Sequence, residues 1–235
     1  FKKIKEIEKP TFHFIYTTSN HGPYKIPKDV LQYDKNSIDD SIDSDIRDDK
    51  ERCKALATAR YADRAVSEFI KKIRKKFPDS LIIYTGDHSN MYGDLHNTSL
   101  IPRDYSMREL YCVPLLINHP GLSKDMVNHN SVGTHLSIIP TIIELIAPKD
   151  FIYYSLFPSL MEEQPEYLAT PKQWLTKDEV GEVMSGKAEA LGESIVGPRP
   201  KYNANKEGIR QASSFVSLAV WMVKHAPDCL IHTSK

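Results

Sequence analysis

The sequence has little of what marks several protein classes. Only three of its 235 residues are cysteine, Cys53, Cys112 and Cys229, and no two stand in C-x-x-C spacing. So sparse and odd a set argues against a disulfide framework and a cysteine zinc site, and leaves the compartment open. Net charge is also missing, because 31 Lys and Arg are matched by 31 Asp and Glu. That removes the bulk attraction toward nucleic acid or an anionic membrane, so no nucleic-acid partner is expected. No apolar run approaches the ~20 residues of a membrane span. The opening Phe-Lys-Lys-Ile-Lys-Glu-Ile-Glu-Lys is too charged for a signal peptide. No segment repeats. The chain begins with Phe1 rather than Met, and is expected to be a soluble piece of a longer product.

What remains is the composition of an ordinary globular protein, 40% apolar and 26% charged. The length allows one substantial core, or a core with a small appendage. The character changes after about Pro148. Residues 1–150 are therefore expected to form one domain, and residues 151–235 a C-terminal extension of surface loops and a terminal helix.

Periodicity supplies the elements. Residues 11–18, Thr-Phe-His-Phe-Ile-Tyr-Thr-Thr, are aromatic and β-branched and predict a strand. Ser19 to Tyr24, with Gly22 and Pro23, predicts a turn. Residues 34–50 are rich in Asp and predict a mobile acidic loop or helix lead-in; they lack the glycine and closing glutamate of an EF-hand. From Lys50 to Lys76, Leu56, Ala59, Ala62, Val66, Phe69, Ile70 and Ile73 recur at helical steps. The basic run at the end of that helix complements the helix dipole. Leu81 to Tyr84 then reads as a strand buried on both faces, and Val113 to Asn118 as another. Strand, helix, strand predicts a parallel βαβ unit. Thr134 is placed to cap a short helix through Leu145, and residues 204–225 predict an amphipathic helix with Trp221 as a core anchor. The fold class expected is α/β, a mainly parallel sheet flanked by helices.

The chemistry concentrates between Ser80 and Asn97. Asp87 and His88 follow the strand and the break at Gly86, and ligands bind beyond the carboxyl ends of strands in open α/β sheets. A hard carboxylate beside an imidazole suits Zn or Mn better than Ca. Against this, Asp-His dipeptides in loops are commonly solvated surface pairs. His96 follows across a loop marked by Gly93 and Asp94, and His21 follows the end of the first predicted strand. By itself, His21 reads as an exposed turn histidine. His129 and His135 read as structural or exposed.

Three segments taken in order resemble a family. They are His21 in Thr-Thr-Ser-Asn-His-Gly-Pro-Tyr, Tyr61-Ala62-Asp63 leading to Ile-Tyr-Thr-Gly-Asp-His-Ser, and Val-Pro-Leu-Leu-Ile-Asn-His-Pro-Gly followed by Ile-Ile-Pro-Thr-Ile-Ile-Glu-Leu. Over residues 11–150 the chain resembles the C-terminal half of sulfatase-like enzymes of the alkaline phosphatase superfamily, nearest the lipoteichoic acid synthase and phosphoglycerol transferase group. The resemblance implies an alkaline phosphatase/sulfatase-like fold in partial form. It implies displacement at phosphorus or sulfur through a covalent Thr or Ser beside a divalent metal, Mn or Zn, with Mg possible. Carried over, Asp87 and His88 match the metal-ligand pair, His21 matches a histidine that contacts the substrate phosphate, and His96 matches a histidine that in phosphoethanolamine transferases lies near the phosphate or a second metal. His rather than Asn after the Asp favours phosphoryl over sulfuryl chemistry.

Ser137 stands where most of the family has Asp. The family's nucleophile and early acidic ligand lie upstream of the equivalent of Thr11, and no residue here matches them. The substrate implied is a phosphate or sulfate ester, lipid-linked phosphoglycerol foremost, and a partner implied is the missing N-terminal half of the same domain. The parent would be membrane-anchored, with this part on the extracellular face of a bacterial membrane. Phosphoethanolamine transferase and sulfatase activities are the enzyme alternatives; a degenerate binding domain is the non-enzyme one.

Overall fold

The structure is a computed structural model that describes residues 4, 9–24, 26, 42–88, 95–101, 106–127, 132–190 and 206–231. Asp34, Asp39 and Asp40 of the acidic stretch, the Gly93-Asp94 turn and His129 lie outside the described residues. The chain divides into two compact units, one of residues 1–105 and 109–122, the other of 106–108 and 123–235.

The first unit opens without a paired strand. Residues 11–18 carry β-forming side chains, yet Phe12, Phe14, Ile15 and Tyr16 are all exposed and the segment joins no sheet. Strand propensity reflects fit to a pleated, half-buried surface, so without a described neighbour it yields no strand. The expected turn does form: His21 N–H donates to the Thr18 carbonyl and Tyr24 N–H to the His21 carbonyl. Helix α1, Ser44–Arg47, buries Ile46. Helix α2 runs Lys50–Lys76, the span its periodicity predicts. The Asp49 carboxylate caps it by accepting from the Glu51 and Arg52 amides. Its apolar face is half-buried to buried from Leu56 to Ile73.

Strand β1, Ile82–Thr85, pairs with β2, Leu115–Asn118, with helix α3, Met107–Tyr111, in the connection. The pairing is antiparallel, with Ile82 opposite Asn118 and Thr85 opposite Leu115. The parallel βαβ unit expected of residues 11–18, α2 and the strand at Leu81–Tyr84 is corrected, because residues 11–18 pair with no strand among the described residues, while the α/β class holds. Strand β1 is half-buried rather than buried on both faces, and Tyr84, Leu115 and Leu116 are exposed. Among the described residues every strand pair in the sheets is antiparallel.

Arg74 in the last turn of α2 fastens this small sheet. Its Nε donates to Asn118 Oδ1 at 2.7 Å, its Nη1 to the Pro78 and Ser80 carbonyls at 2.7 and 2.6 Å, and its Nη2 to Asn118 Oδ1 and the Asn118 carbonyl at 2.5 Å. One planar fork thus ties the helix end to the entry of β1 and the exit of β2. An ammonium cannot reproduce that geometry.

In the second unit a 3₁₀ turn, His135–Ser137, leads into helix α4, Ile138–Ile146, and the Thr134 hydroxyl accepts from Leu136 N–H, as its position predicts. Thr141, fully buried, donates to the Ser137 carbonyl and accepts from Leu160 N–H. Buried Ser137 donates to Gln164 Oε1 at 3.3 Å. The residue therefore holds the segment after α4 in place.

The stretch from Glu162 to Pro200, expected as loops and short helices, instead contains an antiparallel meander. Strands β3, Leu168–Ala169, β4, Gln173–Leu175, β5, Glu179–Glu182, and β6, Ala188–Ala190, pair in sequence order. Its turns fall at Pro171-Lys172, Lys177-Asp178 and Ser185-Gly186, the last with Gly186 at φ +66°. Helix α5, Lys206–Ile231, packs on the meander and continues past residue 225, where the expected helix ended. Trp174, 1% exposed, is the core anchor, clustered with Ala169, Ala188 and Ala212. Trp221, assigned that role from its helical position, is 52% exposed. The indole of Trp174 lies between Gly181, its cross-strand partner, and Gly208 of α5, and a Cβ at either glycine would overlap the ring.

Two stability changes follow. Gly181→Ala and Gly208→Ala are each expected to destabilise the second unit by about 1–3 kcal/mol through overpacking, read as a fall in the urea midpoint. Arg74→Lys should cost the first unit about 1–3 kcal/mol from lost charged hydrogen bonds, seen as faster amide exchange in β1 and β2.

Candidate functional site

Strand β1 delivers the chain to Gly86, and Asp87 and His88 follow immediately. Thr85 Oγ1 donates to the Pro114 carbonyl at 2.9 Å, which closes the strand end from which the pair projects. The two side chains stand together, Asp87 Oδ2 lying 3.8 Å from His88 Nε2, and both are largely exposed. Asp87 Oδ1 accepts from the His88 amide at 3.0 Å, and Oδ2 accepts from the Tyr16 hydroxyl at 3.3 Å.

Desolvation acts to raise the Asp87 carboxyl pKa. The His88 amide, its own amide, the His88 imidazole and the Tyr16 hydroxyl outweigh it and hold the pKa below the ordinary carboxylate value. The group is therefore kept anionic, as a metal ligand must be. A carboxylate and an imidazole are donor types that divalent ions accept. Among the described residues no three His, Cys, Asp or Glu side chains gather to hold a metal.

The histidines are placed separately. His21 is exposed in its turn, its Nδ1 2.8 Å from the Gly22 carbonyl. His96 is half-buried between Leu95 and the Asn97 turn, where Asn97 has φ 58°. It pairs as a bridge with Ile101, and its Nε2 lies 3.4 Å from Glu109 Oε1 of α3.

The loop holding His96 is gripped from α1. Asp45 accepts from the Ser99 amide through Oδ2 and from the Ser99 hydroxyl through Oδ1, each at 2.8 Å. The Ser99 amide, then its hydroxyl, hold the Asp45 pKa below its usual value. A carboxyl whose folded pKa is depressed adds stability above its unfolded value and loses it as pH falls through the folded one.

Sequence reasoning missed Tyr16, Glu109 and Asp45 as partners of the site. Tyr16 stood in a predicted strand, and Glu109 and Asp45 carried no motif. Their separations of 71, 13 and 54 residues from Asp87, His96 and Ser99 leave no local signal.

Residues 1–147 match the Sulfatase family. The chain belongs to that family, and the match ends near the change in character after Pro148. Among curated relatives, it is 28% identical over 152 residues to Lipoteichoic acid synthase 1 of Bacillus subtilis, covering 61% of this chain and 22% of that protein. It is 27% identical over 156 residues to Lipoteichoic acid synthase-like YvgJ of the same organism, covering 62% and 24%. It is 29% identical over 148 residues to Lipoteichoic acid synthase of Staphylococcus saprophyticus, covering 59% and 21%. The matched stretch thus spans less than a quarter of each of these relatives. No solved structure matches the chain. Among the described residues no helix is long and apolar enough to cross a membrane.

Asp45→Ala should free the loop around His96. Exchange of the amides from residue 95 to residue 101 should accelerate, and in the unsubstituted chain the same acceleration should set in as pH falls through the Asp45 pKa.

Proposed function

We propose that this chain carries part of the active site of a metal-dependent phosphoglycerol transferase, acting on lipid-linked phosphoglycerol at the outer face of a bacterial membrane. The observation that carries the reading is the Asp87–His88 pair, set at the end of β1 and held anionic at Asp87 by converging donors. Membership of the Sulfatase family and likeness to proteins named lipoteichoic acid synthases support it.

Asp87 and His88 are the residues that hold the divalent ion, Mn or Zn by the carboxylate–imidazole donor set. When bound, such an ion neutralises phosphate charge and lowers the pKa of an attacking hydroxyl. The chain's own residues do the rest of what can be assigned. Tyr16 donates to Asp87 and fixes its carboxylate plane. To His21 and His96 we assign donation to non-bridging phosphate oxygens. The nucleophile lies in the part of the catalytic domain upstream of Thr11, and the parent protein is anchored in the membrane.

Calorimetric titration of the chain with Mn is expected to give weak binding that disappears in the Asp87→Ala, His88→Ala double variant. Binding unchanged in that variant overturns the metal assignment. Release of glycerol phosphate from a phosphodiester substrate by this chain alone would overturn the placement of the nucleophile.

A further inference from the structure

We infer that Glu109 is a positioning residue for His96, fixing the plane and the tautomer of an imidazole that meets the substrate phosphate. The inference rests on the reading of His96 as a phosphate contact and goes beyond it by naming the group that orients the ring.

The geometry is that of a carboxylate–histidine pair in a partly water-excluded place. His96 Nε2 lies 3.4 Å from Glu109 Oε1, with the two side chains only 16% and 21% exposed. The Asp87–His88 contact, by contrast, is 3.8 Å between side chains 59% and 70% exposed. Shielding from water makes an ionic hydrogen bond stronger and more directional. A carboxylate only accepts, so Nε2 must carry the proton toward Glu109, which selects one of the two neutral tautomers.

The backbone around His96 is built to hold that alignment. Leu95, directly before His96, is 4% exposed, and the Thr98 hydroxyl donates back to the Leu95 carbonyl at 2.5 Å. The bridge to Ile101 and the grip of Asp45 on Ser99 close the turn from the other side. Glu109 stands 13 residues further on, in α3, so the pair joins two separate segments.

The test compares Glu109→Gln and Glu109→Asp in the full chain. Long-range ¹H–¹⁵N spectra report the His96 tautomer, and titration with inorganic phosphate reports binding. The chain is expected to show the Nε2–H form. Glu109→Gln, nearly isosteric, is expected to mix the tautomers and weaken phosphate binding about tenfold, and Glu109→Asp to restore the Nε2–H form. An unchanged tautomer in Glu109→Gln overturns the inference, even where phosphate binding falls, because the side chain would then act only through packing. His96→Ala separates the two layers. If it binds phosphate as the parent chain does while Glu109→Gln still mixes the tautomers, Glu109 positions His96 and the phosphate-contact reading of His96 fails.

Discussion

The candidate metal pair depends on one guanidinium some distance from it. Arg74 ends a 27-residue helix and spends its fork on Asn118, Pro78 and Ser80. A two-stranded sheet is marginal in water by itself. Strands β1 and β2 hold because their far ends are tied to the helix, and this lets β1 deliver Gly86, Asp87 and His88 at a defined place. Lysine there would keep the charge and lose the joint.

The site is assembled by long-range polar contacts rather than by a deep cavity. Tyr16 reaches Asp87, Asp45 reaches Ser99, and Glu109 reaches His96. Each sets a carboxylate against a polar partner far away in the chain and so fixes a geometry. The second unit is organised differently, around an indole lying between two glycines. Its meander and long helix lie wholly beyond the family match, which ends at residue 147.

The misses have physical causes. Residues 11–18 have strand composition but no described partner, and composition alone cannot supply one. The meander was hidden because its strands are two to four residues long and carry Glu, Gln and Gly where longer alternation would show a buried face. Trp221 follows helical spacing as well as any core residue, yet the helix faces its partner through Ala212 and Phe215.

By itself the sequence determined what depends on neighbours along the chain: the span of α2 with its Asp49 cap, the turn at His21, the Thr134 cap before α4, and the Asp87-His88 pair following a strand. It also carried the family, because motif order is a property of the chain. Only the tertiary structure decided the antiparallel sense of β1 and β2, the choice of Trp174 over Trp221 as core, and the pairing of His96 with Glu109. These are choices of partner between segments far apart in the chain. Such choices follow from which surfaces meet when the chain closes on itself, and no local pattern encodes them.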